Sequence, residues 1–503
     1  MADYLLGIDS GLTVTKAVLF DSGGRVVAVG RRAVPRIQPR ARHVERDMAA
    51  LWRESAAAIR DAIAQAGVAP GAVAAIGVTG HGDGLYLLGD DLAPLGNAIV
   101  SLDTRAAEVL DGWRADGTMA AALRATGQQP YAAAPAALLA WLRRHEPERY
   151  GRIRWVLSCK DWLRFCLAGA IATDLTEASV SFTDYRSQTY SDEAFALYGL
   201  PAMARATPEM LAPAAVAGQV TAAAAAMTGL AAGTPVVAGL HDVTASAIGS
   251  GVAETGRLSI VAGTFSINQV FSDRPQPSTE WYCRSGFARS LWLNMAISPA
   301  SSANIDWMVR TLCPDAVARA AAEGGTAFDH LEPEIAAAFA GDSTVVYHPF
   351  LYGSPHGDDA TAGFLGVQGW HDRGHLIRAL YEGVVFNHRT HVDALRSAFP
   401  MTSARLCGGG ARSSRLCQLF ADTLGLDIEV VDAEETGALG AALCAAVGVG
   451  RYGSLAEASA AAVKLQRRYR SDPARAADLD ARYARYRGSI DAVAPIWKSL
   501  RGQ

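Results

Sequence analysis

The sequence predicts an α/β fold of two or three domains, and three observations carry that expectation. Strand-like and helix-like segments alternate from end to end. A chain of 503 residues is too long for one hydrophobic core. The third observation is an echo: strand, small-residue turn, strand opens the chain at Leu5–Asp21 and recurs at Gly256–Phe271. The first turn reads Asp9-Ser10-Gly11-Leu12-Thr13 and the second Gly263-Thr264. Such tips let backbone N–H groups and hydroxyls approach a phosphate, because no bulky side chain stands in the way. Two of them point to two halves closing on one nucleotide.

In order along the chain, Leu5–Phe20 and Val26–Arg32 read as a β-meander. Asp47–Ala66 is predicted as an amphipathic helix, since Met48, Leu51, Trp52, Ala58, Ile59 and Ile63 recur at near-helical spacing. Val73–Thr79 is a strand that delivers Gly80-His81-Gly82-Asp83-Gly84. An alanine-rich helical stretch covers roughly 104–145, and Ile153–Ser158 is a strand ahead of Lys160-Asp161-Trp162-Leu163-Arg164. Helix Thr221–Leu230 and a strand within Gly233–Gly239 lead to Leu240-His241-Asp242, and helix Val243–Gly249 leads into the second hairpin. The domain boundary is expected there, giving 1–248 and 249–503. Beyond it, strands at Thr344–Pro349, Ala404–Cys407 and Asp427–Val431 alternate with helices at His375–Leu395, Ser413–Leu424 and Gly437–Val447. The charge-mixed tail from about 455 is expected to be a helical surface cap.

Bulk properties exclude several classes. A formal charge of −4 leaves no basic footprint, so nucleic acid is not the expected partner. The seven cysteines form no C-x-x-C pair, which argues against a disulfide framework or zinc site and for a reducing cytoplasm. Met-Ala-Asp-Tyr runs straight into a strand without a leader-like basic region. Thr221–Leu240 is broken by Gly229, Gly233 and Pro235, and Gly437–Gly450 is too short to cross a bilayer, so no membrane association is expected.

Several residues could carry chemistry. Asp9 beside Gly11 and Thr13 would repel a phosphate unless a divalent cation intervened, so it reads as a Mg²⁺-side residue. Lys16 could offset phosphate charge or sit as a solvated strand residue. Gly408-Gly409-Gly410-Ala411, between a strand and a helix, would let a nucleotide lie on the backbone at a helix N-terminus. Asp242 ends a strand, where a carboxylate can take a proton from an attacking hydroxyl or cap the next helix. His241 is a second base or a packing residue. His81 and Asp83, with Asp103 and Arg105 downstream, could bind a polyhydroxylated ligand, or form a polar turn. His371/His375 and His388/His391 have metal-like helical spacing but no further ligand, and read as surface residues.

Taken together these segments resemble the FGGY family of carbohydrate kinases from about Leu5 to Val449. The matching segments are Gly7-Ile8-Asp9-Ser10-Gly11 with Thr13 and Lys16, Lys160-Asp161-Trp162-Leu163, and Gly233-Thr234-Pro235-Val236 through Asp242. Gly263-Thr264, Gly363-Phe364-Leu365-Gly366, Gly408–Ala411 and Glu435–Ala442 follow in the family's order. The resemblance implies duplicated actin-like, ribonuclease-H-like ATPase domains around a central cleft. It implies the sugar mainly on the N-terminal half and ATP with Mg²⁺ mainly on the C-terminal half. By that likeness Asp242 is the general base. Gly11, Thr13, Lys16, Gly263, Thr264, Gly409, Gly410 and Ala411 serve ATP, Asp9 the metal, and His81, Asp83, Asp103 and His241 the sugar.

Departures from the family pattern bear on substrate. Gly84–Leu88, Pro94–Ile99 and Phe350–Ser354 look like the L-xylulose/3-keto-L-gulonate kinase branch, whereas Gly82-Asp83-Gly84 is similar to erythritol kinases. Leu12 stands where many members have Thr, removing one phosphate-side hydroxyl. The expectation is a cytoplasmic pentulose kinase. The alternatives are an erythritol- or glycerol-type polyol kinase and a non-transferring nucleotide switch. Homodimers are common in the family, but no segment here specifies an interface.

Overall fold

The computed structural model describes residues 3–357, 359–433 and 435–500. They form two compact units: one from residues within 3–255, 271–294 and 432–464, the other from residues within 256–270, 295–431 and 465–500.

The first unit is built on a mixed sheet. Its strands are β1 (Tyr4–Ser10), β2 (Val14–Phe20), β3 (Val26–Ala33), β4 (Val73–Gly80), β5 (Val216–Gln219) and β6 (Pro235–Val237), in the order β5-β6-β4-β1-β2-β3. A short strand β7 (Leu240–His241) also pairs with β4. Side chains alternate across β1 and β2, so each face acquires its own core. Leu6, Ile8, Ala17 and Leu19 pack with Met48, Leu51 and Ile59 of the helix Met48–Ala66. Leu5, Val18 and Phe20 instead pack with Ala438, Leu439 and Ala442 of the helix Thr436–Gly448. Asp47 caps the former helix, its carboxylate accepting the Ala50 N–H at 2.9 Å. The latter helix is apolar all round and buried, as such a helix must be. It lies so close that a side chain at Gly7 or Gly77 would strike the Ala438 or Ala441 carbonyl.

The predicted 104–145 helix is three helices, Ala107–Ala115, Thr118–Thr126 and Pro135–His145. Gly117 and Gly127, at φ 85° and 77°, sit between them in a conformation other residues adopt rarely.

The second unit repeats the pattern with β8 (Arg257–Ala262), β9 (Ser266–Ser272), β10 (Trp292–Ser298), β11 (Ser403–Cys407), β12 (Ile428–Val431) and β13 (Leu465–Tyr469), in the order β10-β9-β8-β11-β12-β13. β13 corrects the all-helical reading of the tail. Arg467 and Arg468 hid an edge strand, where charged side chains are commonplace, and Arg468 reaches Asp427 at 2.9 Å.

His388 and His391 are also corrected. Both are buried in the helix Arg373–Arg396, and their rings meet Asn268, Ser301 and Ser298 at 2.9 Å each. All seven cysteines are free, and among the described residues no helix is long and apolar enough to cross a membrane.

Candidate active site

Register assembles the site of the first unit. β1, β4 and β7 run parallel, with Ser10 beside Gly80 and Gly80 beside His241. The next residue on each strand, Gly11, His81 and Asp242, therefore leaves the sheet at the same carboxyl edge. In open α/β sheets this is where ligands bind.

Asp242 is the first residue of the helix Asp242–Gly249, with His241 as its N-cap. Its carboxylate takes the Val243 N–H at 2.7 Å rather than capping in the usual way. The side chain is 36% exposed while that of His241 is 5% exposed, so the acid is reachable and the imidazole is not. Burial opposes its charge, but the His241 ring, Nδ1 at 3.0 Å from Oδ1, holds the carboxyl below the usual carboxylate range. The imidazole is pushed down by burial, but Glu177 and then Asp242 outweigh this and lift it to about 9. Opposing them is the Arg284 charge, its Nη1 lying 3.3 Å from Nε2.

A second tier holds the His241–Asp242 turn in place. Lys160 bridges Asp161 and Asp174 at 2.7 and 2.8 Å, and Arg164 joins Asp161 at 2.9 Å. All four side chains are buried. Arg164 also donates to the Ala238 carbonyl at 3.0 Å. Asp174 accepts from the Thr176 hydroxyl at 2.6 Å, and that hydroxyl accepts the His241 N–H at 2.9 Å. The Lys160-Asp161 segment thus acts through this chain of contacts. Glu177, next in line, is lifted by burial to about 8.

His81 is buried, which pushes its pKa down to about 3, and its Nε2 lies 2.9 Å from the Tyr86 hydroxyl. Gly82 is obligatory for packing: a Cβ there would lie 1.9 Å from His241 Nε2. Asp83 has φ 62°, a left-handed conformation that Asp tolerates better than most residues. Its carboxylate faces Arg284 Nη2 at 3.5 Å, and Arg284 Nε donates to Gln128 Oε1 at 2.9 Å. Asp103 does not join this cluster. Its oxygens are taken by Arg105 and by the Val44 N–H, a closed network that Glu45 completes.

At the hairpin tip, the fully buried Arg46 donates to the Gly11 carbonyl at 3.2 Å and to the Leu12 carbonyl. Thr13 is exposed. Lys16 stands opposite Asp9 in the ladder but is paired with Glu435 at 2.7 Å, and Arg31 takes that carboxylate's other oxygen at 2.6 Å.

Among the described residues no hydrogen bond reaches the Asp9 carboxylate. Burial lifts it to about 6; Lys16 opposes the rise, and Asp242 and Glu435 add to it. It lies against the first turn of the helix Thr436–Gly448, where a Cβ on Gly437 would be 2.6 Å from Oδ2. An unbonded acid under like-charge pressure is what a divalent cation relieves. Mg²⁺ takes one or two carboxylates together with waters and phosphates, so this donor set fits it.

In the second unit, parallel pairing sets Val261 beside Cys407, which brings Gly263 and the Gly408–Ala411 turn together. Gly408 has φ 87°, and a Cβ there would lie 2.9 Å from the Ala262 carbonyl. A Cβ on Gly409 would meet nothing within 4 Å, so that side of its backbone is open. An open cleft of about 1040 Å³ begins there, lined by Ser302, Gly409, Gly410, Arg412, Ser413 and Gln418 among others. Gly263 is partly exposed, Thr264 exposed and Ala411 buried.

Sequence reasoning missed Arg284, Gln128, Glu177 and Arg46. Arg284 and Gln128 lie on segments without a motif. Only the burial of isolated charges could have marked Glu177 and Arg46, and burial is a tertiary property.

Residues 4–249 match the N-terminal domain of the FGGY family of carbohydrate kinases and residues 258–449 its C-terminal domain. The chain belongs to that family. It is a carbohydrate kinase, a phosphotransferase acting on an alcohol group. It is 36% identical over 464 residues to the L-xylulose/3-keto-L-gulonate kinase of Escherichia coli, covering 91% of each chain. It is 31% identical over 519 residues to the erythritol kinase of Brucella abortus, covering 99% of this chain and 98% of that one. Among solved structures, the xylulose kinase of Rhodospirillum rubrum superposes with a TM-score of 0.87 at 28% identity, covering 98% of this chain and all of that one.

Proposed function

We propose that the enzyme transfers the γ-phosphoryl group of ATP to a terminal hydroxyl of a small ketose, a pentulose such as xylulose. The observation that carries this is Asp242, a reachable carboxylate kept ionised by the buried His241 at the edge shared with His81 and Gly11. Asp242 accepts the hydroxyl proton as the phosphoryl group arrives. Because that transfer is loose and largely dissociative, positioning and charge matter more than a strong base. His81, Asp83 and His241 are the sugar-side groups. The half to residue 248 takes the sugar, and the half from 249 most of the nucleotide.

The purine side is assigned to the cleft beginning at Gly409, Gly410 and Ala411. The phosphates are assigned to the tips at Gly11, Thr13, Gly263 and Thr264, with Lys16 adding charge from its pair with Glu435. Asp9 would hold Mg²⁺, which when bound neutralises phosphate oxygens. The free cysteines fit the cytoplasm, where we place the protein.

The pentulose reading is supported by the L-xylulose and xylulose kinases among the relatives. A polyol reading is favoured by the Gly82-Asp83-Gly84 tip and by the likeness to an erythritol kinase. A coupled ADP-release screen with Mg²⁺-ATP against ketopentoses, 3-keto-L-gulonate, erythritol and glycerol separates them. The ketopentoses should give the highest kcat/KM; an erythritol preference would replace the pentulose reading.

A further inference from the structure

Arg284 is a buried cation that the transfer chemistry leaves without a task. It lies on the strand Tyr282–Ser285 and reaches three partners in the first unit. Nε donates to Gln128 Oε1 at 2.9 Å, Nη1 lies 3.3 Å from His241 Nε2, and Nη2 faces Asp83 Oδ1 at 3.5 Å. Its guanidinium also sits 5.1 Å from the centre of the Tyr282 ring.

The Asp83 contact differs from a closed ion pair. Charge-assisted N–H···O bonds measure about 2.7–2.9 Å, so the pair is loose, short of full contact by less than an atom's width. Their backbones will not tighten it easily. Asp83 is fixed at φ 62° between Gly82, which is pressed against the His241 ring, and Gly84, where a Cβ would lie 2.3 Å from the Ile99 carbonyl. Gln128 in turn is anchored by donating to the Ser179 carbonyl at 2.7 Å. The arrangement sets the Asp83 carboxylate opposite the Arg284 guanidinium, next to His241 and hence one residue from Asp242.

We propose that Asp83 neutralises Arg284 and so sets the charge class of the acceptor: an uncharged short ketose or polyol enters, and a sugar acid is rejected. A hydroxyl placed beside the pair can donate to Asp83 and accept from Arg284 at once. A carboxylate would find Arg284 already matched and Asp83 repelling it, which is discrimination by an introduced like charge. This inference rests on the sugar-kinase reading above, with the sugar beside Asp83.

The test compares wild type, Asp83→Asn and Asp83→Asn/Arg284→Met in two measurements. One is kcat/KM for L-xylulose and erythritol by ADP release. The other is calorimetric binding of L-gulonate and D-gluconate beside the same two neutral sugars. Asn keeps the tolerance for positive φ, so the single variant retains the loop; melting curves check that it does.

Wild type should bind both acids at least about tenfold more weakly than the better neutral acceptor, a difference of about 1.4 kcal/mol. Asp83→Asn should tighten acid binding by at least that factor and lower kcat/KM for the neutral acceptor. The Arg284→Met change should then erase the gain. Unchanged acid binding in a folded Asp83→Asn variant overturns the proposal, as does tight acid binding by wild type. Loss of ADP release with every sugar in wild type would instead overturn the kinase reading, and the calorimetric comparison would still decide the charge question.

Discussion

Gly82 offers the sharpest test of how the site is held together. A methyl group added there would lie 1.9 Å from His241 Nε2, 2.4 Å from Cε1 and 2.7 Å from Cδ2. Ordinary contact between such atoms needs about 3.5 Å, so the ring must retreat by about 1.5 Å. Nδ1 faces Asp242 and Nε2 faces Arg284, and His241 is 4% exposed, so the retreat has no empty space to use. Gly82→Ala therefore displaces the group that keeps Asp242 ionised.

Misplacement on this scale costs about 10²-fold in kcat, and the overpacking itself about 1–3 kcal/mol of stability. The assay is steady-state ADP release, with ATP binding and melting followed alongside. ATP affinity should be unchanged, because the glycine-lined cleft of the second unit is untouched. His241→Ala makes room for the methyl, so Gly82→Ala should add almost nothing in that background. Near-normal kcat in a folded Gly82→Ala variant would refute the reasoning, and so would additive losses in the double variant.

Other consequences follow from buried charge. Arg46 fixes the hairpin tip through the Gly11 and Leu12 carbonyls. Arg46→Met should raise the KM for ATP about tenfold, the equivalent of one charge-assisted bond, and lower the melting temperature; an unchanged KM would remove Arg46 from the phosphate side. In the second unit, burial pushes His348 and His391 down to about 4 and His388 further. Folded-state values below the unfolded one mean that the unfolded chain binds more protons, so stability is full above about pH 6.5 and falls toward pH 4. His391 alone accounts for about 3 kcal/mol of that loss. Denaturant midpoints measured across this window should drop, and His391→Gln should flatten the drop; a flat wild-type profile would contradict the burial.

Much of this was legible beforehand because it is local. The hairpin tips, the Gly408–Ala411 turn and Asp242 at a strand end are short-range patterns set by small residues and alternating hydrophobicity. Gly82 read as turn chemistry, and only the fold shows that it makes room for His241. What sequence could not show is which distant segments meet. Arg284 reaches Asp83 and Gln128 across the chain, and Lys16 finds Glu435 because the helix Thr436–Gly448 lies on the first sheet. His388 and His391 read as surface pairs because helical spacing says nothing about burial; Asn268, Ser298 and Ser301 come from elsewhere to satisfy them. Asp103 misled for the opposite reason: a polar cluster in sequence closed upon itself through Arg105 and Glu45.

In the proposed reaction Asp242 takes the proton of the acceptor hydroxyl. Asp242→Asn keeps the shape of the side chain and removes its basicity, and the measurement is kcat for the best acceptor beside the Kd for ATP. kcat should fall about 10²–10⁴-fold, as for loss of a general base, with ATP affinity retained. Near-normal turnover in that variant would contradict it.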